Sequence, residues 1–332
     1  MKKGGLLSII PILIIVAFIS QCGNNKRINS IAFSPDDSYI VAVTNDKSLL
    51  IYEGSSGERT HQLTGLHGTA RVNSVAIRQD SRQFVTGGND KSMRVWNVGP
   101  RVFGNFSNTR FSEVGGIRVD TSFQNFLHSL DYSPGGRYVV AGFQDKTARL
   151  FELTSNLTGS EYNPKLIFNM EGHKSDVLTV SFSPNGAFIA TGSKDKTIKI
   201  WEASTGENIV TLIGHNKSVK SVIWSPDGRR IISGSDDKKI IVWDVRNGDQ
   251  LAVLSNHTGK VLALAYDPDG KYFISGSTDK TIRTWSSTDY VELGIIKNKA
   301  WVTSLSFNSD GSRLVAGFGN RRINIFNSSE VY

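Results

Sequence analysis

The stretch from Gly214 to Asp244, GHNKSVKSVIWSPDGRRIISGSDDKKIIVWD, recurs with decreasing fidelity along nearly the whole chain. A sequence that repeats every 42 residues or so is not built round one central core, because each repeat buries its apolar residues against its neighbours. The chain's 332 residues, too many for one ordinary core, suit such an array. Within the repeat the apolar bursts Val222-Ile223-Trp224, Ile231-Ile232 and Ile240-Ile241-Val242-Trp243 are too short for helices, and turn residues bound each one. Ser225-Pro226-Asp227-Gly228 suits a type I turn, and Ser235-Asp236-Asp237-Lys238 is a second turn. Strands joined by tight turns make an antiparallel meander.

Aligned on its Trp-Asp position, the repeat falls at Tyr52, Trp96, Phe151, Trp201, Trp243, Trp285 and Phe326, at intervals of 44, 55, 50, 42, 42 and 41 residues. Six residues earlier stands a turn aspartate, at Asp46, Asp90, Asp145, Asp195, Asp237 and Asp279, with Asn320 in the last repeat. Gly-His, Ser-Pro-Asp-Gly, the turn aspartate and Trp-Asp at this period resemble WD repeats, over about residues 27 to 332. The resemblance implies an all-β fold, a seven-bladed β-propeller with four-stranded blades round a central channel. It also implies a buried relay within a blade, complete in three: His173, Ser193, Asp195 and Trp201; His215, Ser235, Asp237 and Trp243; His257, Ser277, Asp279 and Trp285. An indole N–H needs an acceptor, a hydroxyl both donates and accepts, and an imidazole passes the chain to a carboxylate. A hydrolase triad needs an exposed nucleophile and an oxyanion site, so these groups, recurring once per blade beside a Trp, read as structural struts.

The other repeats depart from the pattern. Blade two has His67, Asp90 and Trp96 but Gly88 at the expected hydroxyl, and blades one, three and seven lack the histidine. Blades four to six are therefore expected to be the stiffest arc. Two linkers exceed the period: 31 residues from Trp96 to Leu127, and 26 from Phe151 to Val177, where later blades use 17 or 18. The first includes Arg101-Val102-Phe103-Gly104-Asn105-Phe106 and Arg110-Phe111, read as a recognition loop or a longer outer hairpin.

The N-terminus carries Lys2-Lys3, an apolar run from Leu6 to Ile19, and Ile19-Ser20-Gln21-Cys22. The run is shorter than the roughly 20 residues of a spanning helix and suits a signal peptide. Ending at the single cysteine, it resembles a bacterial lipoprotein signal, although Gln21 departs from the small residue usual there. The expected division is a signal peptide at 1–21, a short tether at 22–26 with lipidated Cys22, and the propeller at 27–332. This places the protein in the cell envelope as a membrane-anchored lipoprotein facing periplasm or exterior. An ordinary signal peptide or an uncleaved anchor is the alternative. Closure conflicts with this division, because the last blade ends soon after Phe326 and its fourth strand maps to Ala17–Gln21, inside the segment to be removed.

On the expected top face the residue after the turn aspartate is cationic in every repeat: Lys47, Lys91, Lys146, Lys196, Lys238, Lys280 and Arg321. The residues before the first strands differ: Arg27, Arg71, Phe126, Asp176, Ser218, Lys260 and Trp301. Aromatics and arginines anchor interfaces, so Trp301, Arg27, Arg71 and Phe126, with Lys260, are the candidate partner-binding residues. The formal charge of +8 becomes +6 without Lys2 and Lys3, a modest excess that favours acidic partners or solvation. No HExxH, P-loop, GxSxG or dinucleotide fingerprint occurs, no metal-ligand spacing is seen, and no cofactor is expected. The function expected is a non-catalytic scaffold for other proteins. The alternatives are an envelope enzyme or small-ligand sensor at the channel mouth, and a binder of anionic polymer or lipid headgroups. Export argues against nucleic acid.

Overall fold

The computed structural model describes residues 27–331 except 66, 69, 100–110, 119–124 and 156–161, with the backbone alone at 111–118, 155, 162 and 163. The expected signal segment, Cys22, the closing strand at Ala17–Gln21 and the Arg101–Phe106 motif lie outside the described residues. The rest forms a seven-bladed β-propeller. Blade one comprises Ile28–Phe33, Tyr39–Thr44, Ser48–Glu53 and Arg59–Thr64, hydrogen-bonded in chain order, and blades two to six repeat this four-stranded meander. Their first strands begin at Val72, Leu127, Val177, Val219 and Val261, and that of blade seven at Val302.

The repeat acts as a ruler of register. The seven Trp-Asp positions all sit in third strands and oppose the second strand in one way, as Ile40↔Tyr52, Phe84↔Trp96, Ile231↔Trp243 and Leu314↔Phe326 illustrate. Second strands are buried almost without interruption because neighbouring blades cover both faces; all six residues of Tyr39–Thr44 are buried. Outer strands alternate, as Glu292–Lys297 does. Gly234 allows the close approach of blade five to blade six, since a Cβ there would lie 2.6 Å from Val261 Cγ1. The excess after Trp96 falls partly between the third strand, ending at Val98, and the fourth, Phe111–Arg118. In blade three it also lengthens the strands themselves, Ala148–Ser155 and Tyr162–Met170. A parallel pairing of Tyr162 with Gly115 joins the outer strands of blades two and three.

Among the described residues blade seven has three strands, Val302–Phe307, Arg313–Phe318 and Ile323–Asn327. No described strand pairs with the outer edge of its third strand, where the other blades have a fourth. Phe326 is half-buried, whereas Trp201, Trp243 and Trp285 are each 1 % exposed. The ring closes instead by face-to-face packing of Ile28, Ile31, Phe33 and Ile40 on Val315 and Ile323. Polar staples reinforce this seam. The Ser-Pro-Asp-Gly turn reads Ser34-Pro35-Asp36-Asp37 in blade one, and Asp37 adopts the glycine conformation at φ 58°. That conformation costs an L-residue about 1 kcal/mol. The Asp37 carboxylate offsets it by accepting bonds from Ser309 N (2.8 Å), Ser309 Oγ (2.9 Å) and Asn308 Nδ2 (3.1 Å) of blade seven. Arg321 pairs with Asp46 at 3.0 Å across the same seam, and Arg313 donates to Gly54 O.

Candidate functional site

The relays are present, but their hydroxyl lies two residues earlier than the resemblance suggested. In blade five Trp243 Nε1 donates to Ser233 Oγ (2.8 Å), His215 Nε2 lies 2.8 Å from the same oxygen, and His215 Nδ1 is 2.8 Å from Asp237 Oδ2. Thr191 fills this place in blade four and Ser275 in blade six. With the proton on Nδ1 every donor meets an acceptor: indole to hydroxyl, hydroxyl to imidazole, imidazole to carboxylate. Ser193, Ser235 and Ser277 stay structural in another place, each accepting the N–H of its turn aspartate. Strand periodicity explains the shift, since residues two apart share a face but only the earlier one comes within reach of the indole.

The same shift completes blade two. Thr86 Oγ1 receives Trp96 Nε1 at 2.9 Å and lies 2.9 Å from His67 Nε2, so Gly88 is no defect and four blades carry the relay. A sequence signal was available. Blades with Trp have Thr or Ser at this place, whereas blades one, three and seven have Ala42, Ala141 and Ala316 with Tyr52, Phe151 and Phe326, which have no indole to satisfy. Burial alone would raise the relay carboxyls, but their hydrogen bonds, the imidazole's among them, outweigh it and hold Asp90, Asp237 and Asp279 at about 2 and Asp195 lower still. The four histidine side chains are at most 1 % exposed, so substrate cannot reach these hydroxyls.

At the top face, one backbone bond recurs seven times. The carbonyl before each first strand accepts the N–H of the residue preceding the turn aspartate or asparagine: Asn45 to Arg27, Asn89 to Arg71, Gln144 to Phe126, Lys194 to Asp176, Asp236 to Ser218, Thr278 to Lys260 and Gly319 to Trp301. The backbone is fixed while the side chain is free to differ. Arg27, Arg71 and Lys260 are exposed, Trp301 is 51 % exposed and Phe126 is half-buried. The first strand of blade one packs between those of blades seven and two, and that of blade three follows, so Trp301, Arg27, Arg71 and Phe126 belong to consecutive blades. The cationic ring has a conformational cause as well. Lys47, Lys91, Lys146, Lys196, Lys238, Lys280 and Arg321 all have φ between 65° and 78°, the left-handed position that closes the turn. Arg321 is spent on the seam with Asp46, so six lysines remain directed to solvent or half-exposed.

Inside the ring of top-face loops the channel mouth forms a cavity of about 240 Å³. Its wall is made by the second residue of each first strand, Asn29, Asn73 and His128 on one side, and Leu178, Lys220, Leu262 and Thr303 on the other. Below, serine hydroxyls tie the blades: Ser304 Oγ accepts Ile31 N (3.0 Å), Ser30 accepts Val75 N (3.4 Å) and Ser74 accepts Leu130 N (3.0 Å). Asp131 accepts Phe182 N at 2.7 Å, and burial between blades pushes its carboxyl up to about 7. Among the described residues no cluster of three His, Cys, Asp or Glu side chains could hold a metal ion.

The comparisons agree with this architecture. No curated protein matches the chain. The family model for the WD domain, G-beta repeat, matches seven successive segments, residues 17–53, 57–97, 119–152, 164–202, 206–244, 248–286 and 292–327. Seven matches over most of the sequence, on seven blades with one register, place the chain in the WD-repeat family, to which it belongs.

Proposed function

We propose that this propeller is an exported, lipid-anchored scaffold of the cell envelope, facing periplasm or exterior, that binds partner proteins without catalysis. WD-repeat propellers are typically interaction scaffolds. The observation that carries the reading is the seven-fold backbone bond with unlike side chains, which leaves a half-exposed Trp301 beside Arg27, Arg71 and Phe126. Aromatic and arginine side chains on a rigid frame bury area at little entropic cost. Capture from an envelope extract tests it: Trp301→Ala with Phe126→Ala should release the partners retained by the parent at unchanged melting temperature, and retention of every partner would refute it. Acylation of Cys22 is the proposed attachment, since about 0.8 kcal/mol per buried methylene makes more than one chain a stable anchor. Cys22→Ala should move the protein out of the membrane fraction.

A second reading of the N-terminus has its own support. The first family match starts at residue 17, and among the described residues no strand pairs with the outer edge of Ile323–Asn327, beside the half-buried Phe326. Retained, Ala17–Gln21 would supply the fourth strand of blade seven. Mass spectrometry of the mature N-terminus separates the two, because a chain beginning at Cys22 cannot contain that strand.

A further inference from the structure

We infer that the channel mouth is a binding site for a small aliphatic dicarboxylate, held by Lys220 at one end and Arg27 at the other. The cavity, about 240 Å³, lies below the range of drug-sized pockets and suits a compact metabolite. Among the described residues two cations line it and no carboxylate does. Going round the ring from blade five to blade one, the wall offers Lys220, Leu262, Thr303 and Arg27 in that order. The ends attract negative charge and the middle does not: Leu262 is apolar, and Thr303 has already donated its hydroxyl proton to Gly317 O at 2.9 Å. That order, cation, apolar spacer, cation, complements two carboxylates joined by methylenes.

Both ends are prepared. Arg27 Nε donates to Asn29 Oδ1 at 2.9 Å, Asn29 Nδ2 donates to Val72 O at 2.7 Å, and Arg27 N donates to Asn45 Oδ1 at 2.7 Å. These bonds fix the guanidinium by its Nε and leave Nη1 and Nη2 to meet a carboxylate as a fork. Partial burial and then the neighbouring Arg71, another cation, lower the pKa of Arg27, and no salt-bridge partner of Arg27 occurs among the described residues. At the other end Asp236 is shared, 3.7 Å from Lys220 Nζ and 3.7 Å from Lys260 Nζ, so one carboxylate faces two ammonium groups. Asp236 Oδ1 is buried without a hydrogen bond, and neither ammonium, at 3.7 Å, lies within hydrogen-bonding distance of the carboxylate. Two anionic ends on one short chain bind both cations cooperatively, which a single anion cannot do.

The site shares Arg27 with the partner surface, whereas Lys220 and Leu262 take no part in that surface, so variants at these two positions separate the two sites. Titration calorimetry of the full chain at low salt with malonate, succinate, glutarate, adipate and pimelate tests the inference, with butyrate and inorganic phosphate as comparisons. Affinity should peak at one chain length, at least tenfold above butyrate and phosphate. Lys220→Gln and Arg27→Gln should each cost tenfold or more and flatten the length dependence. Leu262→Asn should weaken the best ligand several-fold, and Trp301→Ala with Phe126→Ala should leave it unchanged. Melting temperatures within a degree or two of the parent would exclude misfolding of the variants. Dicarboxylates binding no tighter than butyrate, phosphate binding as tightly as the best dicarboxylate, or affinity surviving Lys220→Gln would each overturn the inference.

Discussion

Replacing Ser233 by alanine and, separately, Ser235 by alanine separates the relay from the turn. Ser233 Oγ takes the Trp243 indole N–H and faces His215 Nε2, both at 2.8 Å, and both partners are buried. Ser233→Ala therefore leaves a donor and an acceptor unsatisfied, at about 1–3 kcal/mol each, for a total near 3 kcal/mol. Ser235 Oγ accepts Asp237 N and donates to Lys217 O at the partly exposed turn, so Ser235→Ala should cost only about 1 kcal/mol. For a chain this long each kcal/mol lowers the midpoint by roughly 2 °C, giving falls of about 6 °C and 2 °C in a thermal melt followed by far-ultraviolet circular dichroism. Ser233→Thr should be nearly neutral, because Thr191 fills the same place in blade four. Trp243→Phe added to Ser233→Ala should cost less than the sum of the two, with a coupling of about 1–2 kcal/mol, since no indole remains to be orphaned. A larger loss for Ser235→Ala, or strict additivity, would refute the relay as drawn.

The closure seam and the channel acid give two more expectations. Asp37→Gly removes three hydrogen bonds to blade seven while relieving the positive φ, so hydrogen exchange should quicken in Ile28–Phe33 and Val302–Phe307 and stay slow in Val219–Trp224; uniform acceleration would contradict the seam. Asp131 is held near 7 in the fold against about 3.9 when unfolded, so the folded state binds the extra proton between these values. Its contribution is fully present below pH 4 and is lost as pH rises through 7, by up to about 4 kcal/mol. The parent's denaturation midpoint should therefore fall between pH 5.5 and 8.5 more than that of Asp131→Asn, and parallel profiles would rule the shift out.

The repeat made the architecture legible because one turn aspartate and one aromatic per blade fix period and register together. Blade count and the third-strand positions follow from that spacing alone. The relay hydroxyl was misplaced for a physical reason: Ser193 and Thr191 share a strand face, and spacing along a strand does not say which of two same-face hydroxyls an indole reaches. Comparing blades would have settled it, since the alanines at 42, 141 and 316 occur only where Trp is absent. Asp37 carried a signal too, as an aspartate where five other blades have glycine, but its partners Asn308 and Ser309 lie over 270 residues away. The channel wall was invisible in sequence for a similar reason. Blade one contributes Arg27, Ile28 and Asn29 and every other blade a single residue, and only ring closure brings Arg27, Lys220 and Leu262 round one cavity.

Site-specific photo-crosslinking tests the central claim most directly, with a photo-reactive phenylalanine placed in turn at positions 301, 126 and 209. Trp301 and Phe126 belong to the proposed arc, whereas Ile209 is an apolar residue as exposed as Trp301 on the outer strand of blade four. The account predicts the same discrete partner adduct from positions 301 and 126 in the native envelope and none from 209. An adduct from 209 alone would place recognition on the propeller's rim and contradict it.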